Sequence, residues 1–203
     1  MHRCSSGIVF AFMYTFITFA SAAGDPAKAQ SIANQVCAAC HGFDGNSPLP
    51  ANPSLAGQHA DYLLKQLTEF KSGIRNNPVM KAIAATLSTD DMRSLANYYE
   101  SLAPKQTAAK NADLVAQGRK LYRAGNATNG MAACSGCHSP NGAGIPAQYP
   151  RIASQHADYV SVQLKAFRAG ERANDPNQMM RSTAMKLTDQ QIAALAEYIS
   201  GLH

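Results

Sequence analysis

Apolar residues along this chain recur every three to four positions, the interval of a helix, and nowhere alternate as a half-buried strand requires. The clearest face runs through Met92, Leu95, Tyr99 and Leu102, and a second runs through Ile192, Leu195, Ile199 and Leu202. Each is preceded by a capping-box spacing, Ser88 with Asp91 and Thr188 with Gln191, which fixes where the helix begins. Weaker periodicity predicts helices over residues 27–36, 61–71, 114–123 and 158–169, with Gly73 and Gly170 placed where the second and fourth of these should stop. The expected fold class is therefore all-α.

The first two dozen residues follow a different rule. His2 and Arg3 precede an apolar run from about Ile8 to Ala20, and small residues occupy Ala20 and Ala22. That is the pattern of a secretory signal peptide spanning residues 1–22, cleaved after Ala22. An uncleaved anchor is the rival, but the run falls short of the roughly 20 apolar residues a spanning helix needs, and it contains Tyr14, Thr15 and Thr18. Cleavage removes Cys4, leaving four cysteines in two pairs in an exported protein.

The remaining chain repeats itself. Cys37-Ala-Ala-Cys40-His41 returns as Cys134-Ser-Gly-Cys137-His138, an offset of 97. The same offset matches Gln58-His59-Ala60-Asp61-Tyr62 with Gln155-His156-Ala157-Asp158-Tyr159, and continues through Gly73 and Gly170. Beyond that the offset becomes 100, pairing Met80 with Met180, Leu87 with Leu187 and Leu102 with Leu202, so the second copy carries three extra residues around Asn174 to Gln178. Two long copies argue for two tandem domains rather than a solenoid, which needs at least three units to bury a continuous core. Pro104 and the polar residues after it mark a linker. The expected domains are residues 23–103 and 113–203, joined by 104–112.

Composition adds two constraints. Charged residues are 15% and apolar ones 46%, with no block of like charge, which fits a packed globular chain and gives no reason to expect a nucleic-acid partner. Charge is unevenly placed: residues 23–102 hold 6 basic and 7 acidic side chains, net −1, whereas 103–203 hold 11 and 6, net +5.

A CxxC pair can be a disulfide, a zinc half-site, a redox dithiol or a haem attachment point. The histidine that follows both pairs discriminates, since chance would place it after both only roughly once in a thousand sequences. Two thiols one helical turn apart can form thioethers to the two vinyl groups of one porphyrin, with the adjacent imidazole beneath the iron. A zinc ribbon brings its pairs within roughly 15 to 20 residues of each other, whereas here a whole domain separates them. Cys37, Cys40, Cys134 and Cys137 are thus candidates to hold two covalent haem c groups, and His41 and His138 to bind the irons.

A metal-bound histidine needs an acceptor for its other ring N–H. Pro53 and Pro150 stand at equivalent positions after the two motifs, and spacing leaves open whether they stiffen a loop or offer that carbonyl. For the sixth ligand, Met80 is the only methionine between Cys40 and the last helix of the first repeat, in an expected polar loop after Asn76-Asn77-Pro78. In the second repeat Met179, Met180 and Met185 compete, and the offset of 100 selects Met180. His59 and His156 could ligate iron, but they open apparent helices and suit haem edges or a domain interface as well. His203 reads as a solvated terminus.

The tandem CAACH and CSGCH motifs, the LAGQHADYLLKQ and IASQHADYVSVQ segments, Met80 with Met180 and the terminal YISGLH resemble the dihaem cytochromes c4 over the whole chain from Ala23. The resemblance implies two class I cytochrome c domains, each wrapped around a His/Met-ligated haem, with the propionate edges near the domain interface and the Pro53 and Pro150 carbonyls holding the axial histidines. It also implies a periplasmic carrier, often associated with the outer face of the inner membrane. Such a carrier passes single electrons from a membrane respiratory donor toward a terminal oxidase and acts on no small-molecule substrate. A haem subunit docked to a dehydrogenase is the alternative. A dihaem peroxidase would need one accessible iron, which a sulfur ligand at both sites denies.

Overall fold

The computed structural model describes residues 25–203; the expected signal segment and Cys4 lie outside the described residues. The first half contains α1 (Pro26–Ile32), α2 (Ala38–His41), α3 (Ala60–Ser72), α4 (Pro78–Ala85) and α5 (Thr89–Ser101). The second contains α6 (Ala112–Ala124), α7 (Ser135–His138), α8 (Ala157–Ala169), α9 (Met179–Ala184) and α10 (Asp189–Ser200). Among the described residues extended pairing is limited to two isolated bridges, Asn126 with Met131 and Ile145 with Tyr149.

Local chemistry explains most boundaries. Ser88 and Thr188 form full capping boxes with Asp91 and Gln191, satisfying backbone N–H groups that the first helical turn leaves free. Helices α3 and α8 end on Gly73 and Gly170 at φ 84° and 75°, a left-handed conformation that costs glycine little. Helix α1 does not end before the first cysteine: it widens into a π-helical stretch, Ala33–Cys37, that runs directly into α2. The second copy instead breaks after α6 and inserts the Asn126–Met131 turn ahead of Cys134.

Each half has its own core. Helix α5 buries Met92, Leu95, Ala96 and Tyr99 against α1 and α3, and α10 buries Ile192, Leu195, Ala196 and Ile199 against α6 and α8. The α6–α10 crossing depends on Gly118, where a Cβ would sit 2.1 Å from the Ala194 carbonyl oxygen and 2.6 Å from Tyr198 Cβ. Gly118→Ala should therefore destabilise the second domain by about 1–3 kcal/mol, the usual range for overpacking. Denaturant unfolding of the holoprotein checks this, and an unchanged midpoint would mean the crossing relaxes freely.

The two halves meet through reciprocal hydrogen bonds. The Gln58 side chain receives the Arg151 backbone N–H at 2.9 Å and donates to its carbonyl at 2.8 Å; Gln155 treats Ser54 the same way at 2.9 and 3.1 Å. His59 Nε2 lies 2.9 Å from the Ala143 carbonyl oxygen and His156 Nε2 lies 2.8 Å from that of Ser47. Arg75 donates to Gln66 of its own half and to Tyr159 and Gln163 of the other, while Arg172 donates to Gln163 of its own half and to Tyr62 and Gln66 of the other. Equivalent residues thus exchange equivalent bonds, the self-complementarity of a two-fold interface realised inside one chain. Asn174 departs from the symmetry, donating to Gln66 and Glu69 while its carbonyl receives Lys65 at 2.7 Å. The connecting stretch is tied to both halves: the Lys105 backbone N–H donates to Asn46 at 2.7 Å, and that of Asn111 to Glu197 at 2.8 Å.

Candidate functional site

Each cysteine pair straddles one turn of helix, with the histidine closing it. His41 ends α2 and His138 ends α7, and both rings are 8% exposed. His41 Nδ1 lies 2.8 Å from the Pro53 carbonyl oxygen, and His138 Nδ1 lies 3.0 Å from that of Pro150. A carbonyl only accepts, so Nδ1 carries the proton and Nε2 presents its lone pair. Burial holds both imidazoles below their ordinary pKa, which keeps them neutral as a metal ligand must be. The two prolines thus do offer the carbonyls.

The loops that bring those carbonyls round are pinned alike. The Gly45 carbonyl accepts from the backbone N–H of Leu55 and Ala56 at 2.7 and 3.0 Å, and the Gly142 carbonyl from Ile152 and Ala153 at 2.9 and 3.0 Å. Ser47 Oγ also donates to the Cys40 carbonyl at 2.9 Å, and Tyr122 Oη to the Ser139 carbonyl at 2.6 Å. The ring of each histidine is therefore oriented by backbone that is itself fixed, the outer-shell arrangement that holds a metal ligand in one tautomer.

Cys37, Cys40, Cys134 and Cys137 form no disulfide with one another. Burial pushes the Cys37 thiol up and that of Cys134 up to about 11. Among the described residues no group of three or more His, Cys, Asp or Glu side chains assembles, so the two pairs do not converge as a zinc ribbon would.

Met80 and Met180 are half-buried, whereas Met179 and Met185 are 38% and 68% exposed. Met80 stands not in a loop but in the first turn of α4, where Asn77 caps the helix by accepting its backbone N–H at 2.9 Å. Met180 occupies the corresponding place in α9. His203 is exposed. His59 and His156 instead commit Nε2 to a backbone carbonyl of the opposite half.

Sequence reasoning passed over the buried polar cluster at the interface, although Arg75 and Arg172 obey the offset of 97. Arg75 stacks on Phe70 at 4.5 Å and Arg172 on Phe167 at 4.4 Å. Burial pushes the Tyr62 phenol up, but the charges of Arg172 and Arg75 outweigh it and hold the group below its usual value. At each motif two cysteine side chains and one buried imidazole, its Nδ1 committed to a proline carbonyl, suit a covalently attached haem.

Comparison with known proteins agrees with this chemistry. A family model described as Cytochrome c matches residues 26–103 and 115–203. The chain is 48% identical over 181 residues to cytochrome c4 of Thiocapsa roseopersicina, covering 88% of this chain and 93% of that protein. It is 39% identical over 173 residues to a thiosulfate dehydrogenase electron acceptor of Stutzerimonas stutzeri strain A1501, covering 84% and 80%. The crystal structure of reduced recombinant cytochrome c4 from Pseudomonas stutzeri superposes with a TM-score of 0.85 at 43% identity, covering 89% of this chain and all of that one.

Proposed function

The chain belongs to the cytochrome c4 family, and from that membership we propose that it is a periplasmic carrier that moves single electrons between a membrane donor and a terminal oxidase. It carries two covalent haem c groups, one per cytochrome c domain, and is an electron-transfer protein rather than an enzyme. In this reading the domains are residues 23–103 and 113–203 with the linker at 104–112. Cys37 and Cys40 hold the first haem, with His41 and Met80 as iron ligands; Cys134, Cys137, His138 and Met180 hold the second.

The haem supplies a one-electron couple between ferric and ferrous iron. The protein's part is to fix ligand orientation, exclude water and bring the two sites together. The observation that carries the reading is the pair of buried histidines, each with Nδ1 committed to a proline carbonyl and Nε2 free for metal. No helix among the described residues is long and apolar enough to cross a membrane.

Relatives named as electron acceptors of thiosulfate dehydrogenase favour a second reading, in which the chain is a haem protein docked to a dehydrogenase. Both readings require two docking faces. The net charges of −1 and +5 give the molecule a dipole that orients it during encounter, the basic second domain approaching an acidic protein surface or anionic headgroups.

Lys110, Arg119 and Lys120 are exposed and suited to the test; Lys105 is less so, being paired with Asp44 at 2.7 Å. Reversing those three charges should slow electron transfer with one partner several-fold at low salt and leave the other unchanged. The difference should fade as ionic strength shortens the Debye length to about 10 Å at 0.1 M. Equal effects on both partners would end the division of faces.

A further inference from the structure

The helix that carries Met180 is entered under strain, and the one that carries Met80 is not. Helix α4 begins with Asn77, which caps it by accepting the Met80 backbone N–H at 2.9 Å, and with Pro78 at its first position. Helix α9 has six residues and no side-chain cap, and the chain reaches it through Asn177 and Gln178 at φ 52° and 58°. Asparagine tolerates that left-handed conformation better than most residues, whereas glutamine does not. Strain of this kind persists only where the surroundings hold it in place.

Two contacts hold it. Asp175 clamps the strained pair from either side: its carboxylate accepts the Arg181 backbone N–H at 2.9 Å and the Arg181 Nε at 2.7 Å. From the opposite side of the site, Tyr149 Oη donates to Met179 Sδ at 3.5 Å. Tyr149 is itself fixed, exchanging backbone bonds with Ile145 at 2.8 and 3.0 Å, and its ring lies edge-on to that of His138 with centroids 6.3 Å apart. One side chain thus joins the loop that orients the axial histidine to the residue beside Met180. The first domain lacks this link. Asn52 stands in place of Tyr149 and donates to the Cys40 carbonyl at 3.3 Å, and Val79, 66% exposed, stands in place of Met179.

We propose that Tyr149 is a positioning residue that latches Met180 through Met179, and that α9 is a hinged arm whose release opens the C-terminal site to a small nitrogen-donor ligand such as imidazole. The step is a substitution: the Met180 thioether leaves ferric iron, a ring nitrogen takes its place, and no oxidation state changes. Opening relaxes the left-handed turn at Asn177 and Gln178, which offsets part of the lost bond, and α4 has no such strain to release. The arm stays shut in the reduced protein, because a thioether favours ferrous iron. The inference rests on the reading of Met180 as the ligand of that haem.

Imidazole added to the ferric holoprotein tests it. Displacement is followed by loss of the near-infrared band of methionine-ligated iron, and each phase is assigned by whether Met80→Ala or Met180→Ala abolishes it. The C-terminal phase should be the faster in the wild-type protein. Tyr149→Phe, which keeps the ring against His138 and removes only the hydroxyl, should speed that phase several-fold and leave the N-terminal phase in place. Met179→Leu should do the same, and the double variant should be no faster than either, since both changes break one contact. Hydrogen exchange should quicken over residues 177–184 and not over 78–85. A wild-type N-terminal phase faster than the C-terminal one would overturn the proposal, as would Tyr149→Phe changing neither phase or both alike, or adding to Met179→Leu. Hydrogen exchange rising throughout the second domain would show a packing role and overturn it too. Failure of the ligand reading looks different and takes the latch with it: the wild-type protein would lack two methionine bands before any imidazole is added, or Met179→Leu would abolish one outright.

Discussion

Chain produced without haem attachment, as with Cys37→Ala and Cys40→Ala together or the same changes at Cys134 and Cys137, will fail to fold the affected domain. Each domain has a thin core of its own. The first rests on Ala29, Ala33, Leu63, Leu87, Met92, Leu95, Ala96 and Tyr99, three of them alanines. A unit of roughly 80 to 100 residues with so little buried volume is marginal, and such domains commonly need a cofactor or another staple. The expected result is loss of the cooperative thermal transition and most helical circular dichroism from the altered domain, with the intact domain still melting. A normal cooperative transition in the haem-free domain would show that the helices suffice alone.

The second large effect lies at the methionines. Met80→Ala and Met180→Ala should each remove one iron–sulfur bond, leaving that iron open or water-ligated while the other haem is spared. Because the thioether favours ferrous iron, the potential of the altered haem should fall on the order of 0.1 V or more, within the range of about 0.8 V that axial ligands span. Met185, at 68% exposure, provides the control: Met185→Ala should change neither haem. If Met180→Ala left both signatures intact while Met179→Ala or Met185→Ala removed one, the repeat register would have pointed to the wrong sulfur.

The helices that pack, and the motifs that bind, could be read directly from the residues. The faces of α5 and α10, their capping boxes and the stops at Gly73 and Gly170 are local signals that the tertiary structure does not override. Helix α4 was hidden by its own start signal: Asn77-Pro78 reads as a loop, yet it is an N-cap followed by proline at the first helical position. Helix α9 had less to offer, because it follows Asn177 and Gln178 at φ 52° and 58°, and although asparagine favours that left-handed conformation, glutamine does not announce it.

The domain interface was legible only in part. Duplication singled out His59 and His156, but not that they would reach carbonyls 84 and 109 residues away. Arg75 and Arg172 gave no signal in the sequence, since long-range pairing of a polar side chain leaves no local periodicity. Whether Pro53 and Pro150 served as stiffeners or acceptors was likewise a matter of 2.8 and 3.0 Å contacts that spacing does not encode.

The most direct measurement is a stepwise redox titration of the mature holoprotein, with haem counted per chain and the near-infrared band of methionine-ligated ferric iron followed throughout. Two haems per chain, both carrying that band and both losing it on one-electron reduction, is the predicted result. One haem per chain, or a second iron that lacks the band and binds carbon monoxide readily at neutral pH when reduced, would contradict the reading of this chain as a two-site electron carrier.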